Sequence, residues 1–186
     1  MPSIETARLR LRPFAMSDLD DYYTAILADA RVMEHLPGGK PLPRERAASM
    51  LRGIMDQWAE AGYGLWALRD KATDDFVGYA GLQPLDNRDD VELAFAIARA
   101  YWRRGLAAEA GEAVLHYGFE TLGLPQIVAT CAPENRAAQR VLQKIGLKFE
   151  RRMRVYNDIL PFYALQAGRY QPNPDATYIV ISDTDS

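Results

Sequence analysis

The stretch Tyr101-Trp102-Arg103-Arg104-Gly105-Leu106-Ala107-Ala108-Glu109-Ala110 decides how this chain is read. It lies between a strand-like run at 91–98 and an amphipathic run at 106–122. Two cations and a glycine therefore fall where a strand hands over to a helix. The first N–H groups of a helix lack partners within it and carry the positive end of its dipole, so a phosphate docks there. Gly105 has no Cβ and permits close approach to the backbone. Ala107 and Ala108 keep the first turn open. The pattern predicts a pyrophosphate cradle over 103–108. The plainer alternative is an N-cap glycine flanked by solvated arginines.

Other phosphate motifs are not supported. Gly38-Gly39-Lys40 lies in a proline-rich loop and is followed by Pro41, so it is no P-loop, and no G-x-G-x-x-G follows a strand. A chain of 186 residues suits one domain and can bury about 70% of its unfolded surface. The net charge of −3, from 25 acids against 22 bases, argues against nucleic acid or an anionic membrane as main partner. Cys131 is the single cysteine, which excludes an internal disulfide. With only His35 and His116 beside it, a typical zinc site is not expected, and no metal is assigned. The N-terminus carries no basic and apolar leader pattern. No apolar run approaches the roughly 20 residues of a membrane span. A cytoplasmic protein, monomer or homodimer, is the expectation.

Around the cradle the elements follow from local pattern. Arg8-Leu9-Arg10-Leu11-Arg12 alternates as a first strand, stopped at Pro13, and its arginine face reads as solvated. Ser17-Asp18 predicts a cap for a helix to about Asp29, and 44–61 is helical. Strands are expected over 63–69 and 76–82, followed by an acidic loop at 85–90. After the 106–122 helix comes a short strand at 126–130. Asn135 opens a helix that Gly146 stops. Two terminal strands, 147–156 and 162–170, are joined through Asn157-Asp158. The domain is bounded at 5–170, with a tail at 171–186. Within that tail, 178–181 is either part of a disordered extension or an added edge strand. The order β-α-α-β-β-β-α-β-α-β-β predicts a single-domain α/β fold, a mixed sheet with helices on both faces.

The strand before the cradle has two unlike faces. Val91, Leu93, Phe95 and Ile97 point one way and are bulky; Glu92, Ala94, Ala96 and Ala98 point the other. The methyl-lined face leaves room for a slender ligand, or simply for a closely packed helix.

This order resembles the GNAT superfamily of CoA-dependent N-acetyltransferases, and most nearly its ribosomal-protein N-terminal acetyltransferase-like branch. Four segments carry the resemblance: 5–12; Glu92-Leu93-Ala94-Phe95 with 101–110; 135–147; and Phe162-Tyr163-Ala164-Leu165. The resemblance implies a central sheet whose fourth and fifth strands splay apart to admit the pantetheine arm of acetyl-CoA, the co-substrate. It implies pyrophosphate binding on Arg103, Arg104, Gly105, Leu106, Ala107 and Ala108. Backbone groups near Ala96 and Ile97 would meet the pantetheine amide or thioester oxygen. Three positions depart from the family pattern. Arg103 stands where that branch usually has glycine, Ala138 where it has a helix serine, and Leu142 where many relatives carry a tyrosine acid.

The expected reaction is direct attack of a primary amine, from a small molecule or a protein N-terminus, on the thioester in a ternary complex. An amine of pKa near ~10.4 must first lose a proton. Glu92, the lone acid on the small strand face, is the candidate base, directly or through water; the plain alternative is a supporting or solvent-facing carboxylate near a strand start. Asn135 is a candidate cofactor ligand whose amide can assist the departing thiolate; its plain alternative is a helix cap. A CoA thiol should leave near pKa ~8.5 without a side-chain acid. Asp86, Asp89 and Asp90 predict a negative mouth that favours a cationic acceptor. Cys131 reads as a small buried residue, and Trp58 and Trp66 as core. Two further classes stay open: a non-catalytic acyl-CoA-binding or regulatory domain, and an interaction module built on the tail strand.

Overall fold

Thr6 turns the chain at its start. Its hydroxyl accepts from Leu9 N–H (2.9 Å), folding Ser3–Glu5 (β1) against Leu9–Pro13 (β2). In the computed structural model, which describes residues 1–86 and 88–182, a helical passage follows. It comprises Leu19–Tyr22 (α1), a π-turn at Tyr23–Leu27, and Ala30–Met33 (α2). The single helix expected from Ser17-Asp18 is thus broken. Asp29 starts a new helix by accepting the Arg31 and Val32 N–H groups. Arg44–Ala61 (α3) runs as its periodicity predicts and stops at Gly62.

Leu65–Asp70 (β3), Phe76–Pro84 (β4) and Val91–Ile97 (β5) form a meander. Then come Leu106–His116 (α4), Gln126–Thr130 (β6), Arg136–Lys144 (α5), Lys148–Val155 (β7) and Asp158–Gln166 (β8). Ile179–Ile181 (β9) pairs with β1, so the edge-strand alternative for the tail is the one observed. Residues 183–186 of that tail, and Asn87 of the acidic loop, lie outside the described residues.

One nine-stranded sheet results, in the order β7-β8-β6-β5-β4-β3-β2-β1-β9. Neighbours are antiparallel except β5 and β6. That parallel contact is a single residue pair, Glu92 with Val128. Beyond it, 93–97 has no strand partner on the β6 side among the described residues, and the sheet opens.

The two faces of β5 enter two different cores. Leu93 and Ile97 pack with α4 and α5, including Val114 and Leu142. Ala96 and Ala98 pack with the N-terminal helices, including Tyr22, Ile26 and Leu51. Close helix packing therefore accounts for these two alanines. On β4, a Cβ at Gly78 would lie 2.1 Å from the Ala96 carbonyl oxygen, so only glycine allows β4 and β5 to approach this closely.

The arginines of β2 are not simply solvated. Arg12 donates twice to Asp18 (2.8 and 2.6 Å), which is fully buried and also accepts from Arg69 and from Ala15 N–H (2.9 Å). Asp18 is therefore an anchor between helix and sheet rather than a helix cap. Burial alone would raise its carboxyl pKa. The Arg12 guanidinium, the Ala15 amide and Arg69 outweigh burial and hold it below the ordinary carboxylate value. A depressed native pKa adds stability above the unfolded value, and that stability is lost as pH falls through the native one. Asp18→Ala should lower stability by about 3–5 kcal/mol, since it leaves two guanidinium groups facing a buried gap. Urea unfolding checks this: the difference from wild type should be full at neutral pH and shrink in acid below the ordinary carboxylate range.

Candidate active site

Helix α4 begins where β5 has turned away from the sheet. Its first i→i−4 bond runs from Glu109 N–H to the Gly105 carbonyl (3.2 Å). The N–H groups of Leu106, Ala107 and Ala108 precede that bond, and Gly105 has no side chain to cap them. Gly105 sits at φ +77°, a left-handed conformation natural to glycine. Arg103 adopts φ +63°. The position where a glycine is missing thus keeps a glycine-like backbone. From behind, Glu109 accepts from Thr6 Oγ1 (2.6 Å), Arg8 N–H (2.8 Å) and Arg8 Nε (2.7 Å). Arg8 Nη1 also donates to the Arg104 carbonyl (2.8 Å). The first strand of the sequence therefore braces the turn that opens α4.

A cavity of about 420 Å³ starts at this turn and runs along β5. Arg103, Gly105, Leu106, Ala107, Ala108, Ala96, Ile97 and Asn135 all border it. Arg104 does not: its guanidinium lies 5.0 Å from the ring centroid of Tyr101, which itself borders the cavity. Ala98 N–H donates to Val77 on β4 (2.8 Å). By strand alternation the backbone groups of Ala96 also face β4, and those of Phe95 and Ile97 face the opening. The Ile97 carbonyl already accepts the Trp102 indole N–H (2.7 Å). Ala96 contributes a wall rather than a free hydrogen-bonding group.

A second cavity, of about 820 Å³, lies deeper, and His35, Leu36, Phe95, Asn135 and Ala138 border both. Asn135 caps α5 by accepting Ala138 N–H at Oδ1 (3.0 Å). Its amide nitrogen has no hydrogen-bond partner among the described residues and stands at this junction. Leu142, where many relatives carry an acid, is buried against the second cavity.

Glu92 lies in that second cavity, nearly sealed from solvent at 3% exposure. Its Oε1 accepts from Thr130 N–H (3.1 Å) and Thr130 Oγ1 (2.5 Å). Its Oε2 accepts from Gln83 Nε2 (3.0 Å) and the Tyr156 hydroxyl (2.6 Å). A carboxylate has about four acceptor sites, and four donors fill them. Tyr156 is a residue that sequence reasoning missed. The final hairpin turns on Tyr156 and Asn157, both at positive φ (+50° and +63°), one residue earlier than expected. That turn, of the kind that suits a tight hairpin, carries the tyrosine across to β5. Burial first, and the Glu92 charge second, push its phenol well above the usual value.

The remaining candidates fall into place around this pair. Asp90 accepts from Gln126 (3.2 Å) and Asp86 from Tyr156 N–H (3.1 Å); neither borders the cavity. Its acidic lining comes instead from Glu34, Glu92, Glu134 and Asp158. Burial, with Glu92 nearby, pushes the Cys131 thiol up to about 11, which leaves little thiolate at neutral pH. His35 sits where the cavities meet. Trp58 and Trp66 pack edge to face in the core, as expected. No metal-ligand cluster occurs among the described residues, and no described helix is long and apolar enough to cross a membrane.

Comparison with known proteins gives the family. Residues 8–148 match the family model of the acetyltransferase (GNAT) domain. The Bacillus subtilis N-acetyltransferase YnaD is 31% identical over 147 residues, 79% of this chain and 83% of that protein. An acetyltransferase from Agrobacterium tumefaciens superposes with a TM-score of 0.78 at 27% identity, over 89% of this chain and 95% of that one. RimL, a ribosomal-protein acetyltransferase solved in complex with coenzyme A, shares the fold at a TM-score of 0.74 and 14% identity, over 87% and 98% of the two chains. With the domain match spanning well over half its length, the chain belongs to the GNAT acetyltransferase family and is an N-acetyltransferase.

Proposed function

We propose that the protein moves an acetyl group from acetyl-CoA to a primary amine by direct attack in a ternary complex. The supporting observation is that two cavities meet at Phe95, Asn135 and Ala138. One ends on a bare helix N-terminus and the other holds the Glu92–Tyr156 pair. A cradle with three unpaired N–H groups, an adjacent guanidinium and no Cβ at Gly105 fits a pyrophosphate. Arg103, Gly105, Leu106, Ala107 and Ala108 would hold it, with Phe95 and Ile97 along the pantetheine arm. Acetyl-CoA supplies the acyl group: the amine nitrogen forms the new C–N bond as the C–S bond breaks and CoA thiolate departs.

The chain's own task is the amine proton. Glu92 has four acceptor sites taken by close donors, whereas the Tyr156 oxygen accepts only at longer range, from Gln83 Nε2 (3.3 Å) and Asp86 N–H (3.4 Å). The amine displaces one of these long contacts, so the group that reaches it is Tyr156. Its oxygen takes the amine proton while its own proton passes to Glu92 Oε2. The raised phenol pKa keeps Tyr156 protonated at rest, so it works as a relay and not as a standing phenolate. Asn135 offers its free amide at the cavity junction, beside the departing sulfur. The carboxylate is the base, acting through a neighbour.

Four variants test this reading. Gly105→Glu should weaken CoA binding by more than about tenfold, because like charges brought together cost several kcal/mol. Gly105→Ala carries the same backbone strain, about 1 kcal/mol, without the charge. It should retain affinity within a few-fold, and calorimetry on both separates charge from strain.

Tyr156→Phe should lower kcat/KM at neutral pH by roughly 10²-fold while leaving CoA affinity unchanged. Part of the loss should return as pH approaches the amine's own pKa; a pH–rate profile parallel to wild type would remove the relay. Ala138→Ser restores the branch's serine. It should raise kcat by less than about tenfold, because a thiolate leaving group needs little protonation. Steady-state thiol release with a saturating amine measures it.

A further inference from the structure

The cavity beside Glu92 carries more information about its occupant than the reaction requires. Its acidic lining comprises the carboxylates of Glu34, Glu92, Glu134 and Asp158, with His35 beside them; no lysine or arginine borders it among the described residues. The same lining includes the apolar side chains of Leu27, Leu36, Leu42, Met50 and Ile54. The volume of about 820 Å³ is that of a small-molecule site, where roughly 300–1,000 Å³ is usual.

Two tyrosines set the finer chemistry. Tyr22 and Tyr79 both border the cavity, with ring centroids 6.2 Å apart, edge to face. Tyr22 is only 2% exposed. A tyrosine buried this deeply normally finds a partner for its hydroxyl. Neither hydroxyl has one among the described residues. Nor is either sealed away: the sealed side-chain polar atom without a partner is Arg69 Nε. The two hydroxyls therefore open on the cavity as unused donors. Burial pushes the Tyr22 phenol up to about 12. Tyr79 is raised as well, by burial first and then by Tyr22 and Glu92. Both stay neutral donors at any working pH.

We propose that the acceptor is a small monocationic amine whose apolar body carries an oxygen, and that the Tyr22 and Tyr79 hydroxyls read this oxygen. This rests on the acetyl-transfer reading above. The carboxylates attract the ammonium and repel an acidic acceptor. The apolar side chains receive the body and offer nothing to a second cation. The unused hydroxyls reward an oxygen-bearing body over its hydrocarbon analogue, because a donor left unpaired against the wrong ligand costs binding.

The experiment follows free-thiol release from acetyl-CoA across matched amines. The pairs are tyramine with phenethylamine and 6-aminohexanol with hexylamine, with spermidine, glutamate and a short peptide N-terminus beside them. In the better pair the oxygenated member should be favoured in kcat/KM by about two- to tenfold, the yield of one neutral hydrogen bond. Tyr22→Phe or Tyr79→Phe should bring that ratio close to one by lowering kcat/KM for the oxygenated member more than for the hydrocarbon member. Loss of rate for both members alike would mean that the tyrosines only pack, and would overturn the reading of the hydroxyls. Preference for glutamate, spermidine or the peptide would overturn the amine class. Calorimetry of the same amines with CoA-loaded protein gives an independent readout. If no amine releases thiol, acetyl transfer has failed, while the binding order still decides which amine class the cavity takes.

Discussion

Everything in the site depends on one carboxylate. Glu92 stands at the single residue pair that joins β5 to β6. Thr130 ties it to β6, Gln83 to β4 and Tyr156 to the final hairpin. A buried charge with four donors is firmly placed; the same charge with one donor removed would be costly. The sheet can therefore open beyond this point without coming apart. The opening has room for a ligand because the strands are pinned at its apex.

Asp18 is the other charged side chain that is fully buried among the described residues. It plays the matching part on the N-terminal side. Through Arg12 and Arg69 it fixes the helical passage that bears Tyr22 against the sheet. Glu109 works at a third place, half-buried, where Thr6 and Arg8 hold the start of α4. Three carboxylates thus set three walls: the apex, the roof of the deeper cavity and the cradle. Each joins segments far apart in sequence, so the cavities are a property of tertiary hydrogen bonding to carboxylates more than of any single element.

This explains what could be read from the chain and what could not. The cradle, α3, the β3–β5 meander, α4 and the Asn135 cap are written locally, in periodicity and end signals. The two-faced character of β5 was legible for the same reason. Tyr156 was not, because a bulky residue at positive φ is a poor turn signal; such a backbone is a mark of constraint that only coordinates reveal. Asp18 looked like a cap because its partners, Arg12 and Arg69, are recognisable only once β2 and β3 are side by side. Ser3–Glu5 and Ile179–Ile181 are each too short to announce themselves, and each exists as a strand because the other does. Tyr22, Tyr79 and His35 carry no local signal at all.

The pairing of the tail with β1 also bears on how the protein avoids itself. Without Ile179–Ile181, β1 would be the outermost strand on that side, with a row of unpaired backbone groups. Exposed edges of that kind recruit other chains. The tail covers the edge with only three residues of its own, too few to offer a partner much purchase. Tyr178 fastens it from the neighbouring face by donating to Glu112 on α4 (3.2 Å). The segment thus serves as a selvedge, the finished border that keeps a woven cloth from unravelling into its neighbour. A chain trimmed before Tyr178 would keep every wall of the two cavities and leave the backbone edge of β1 as a raw border.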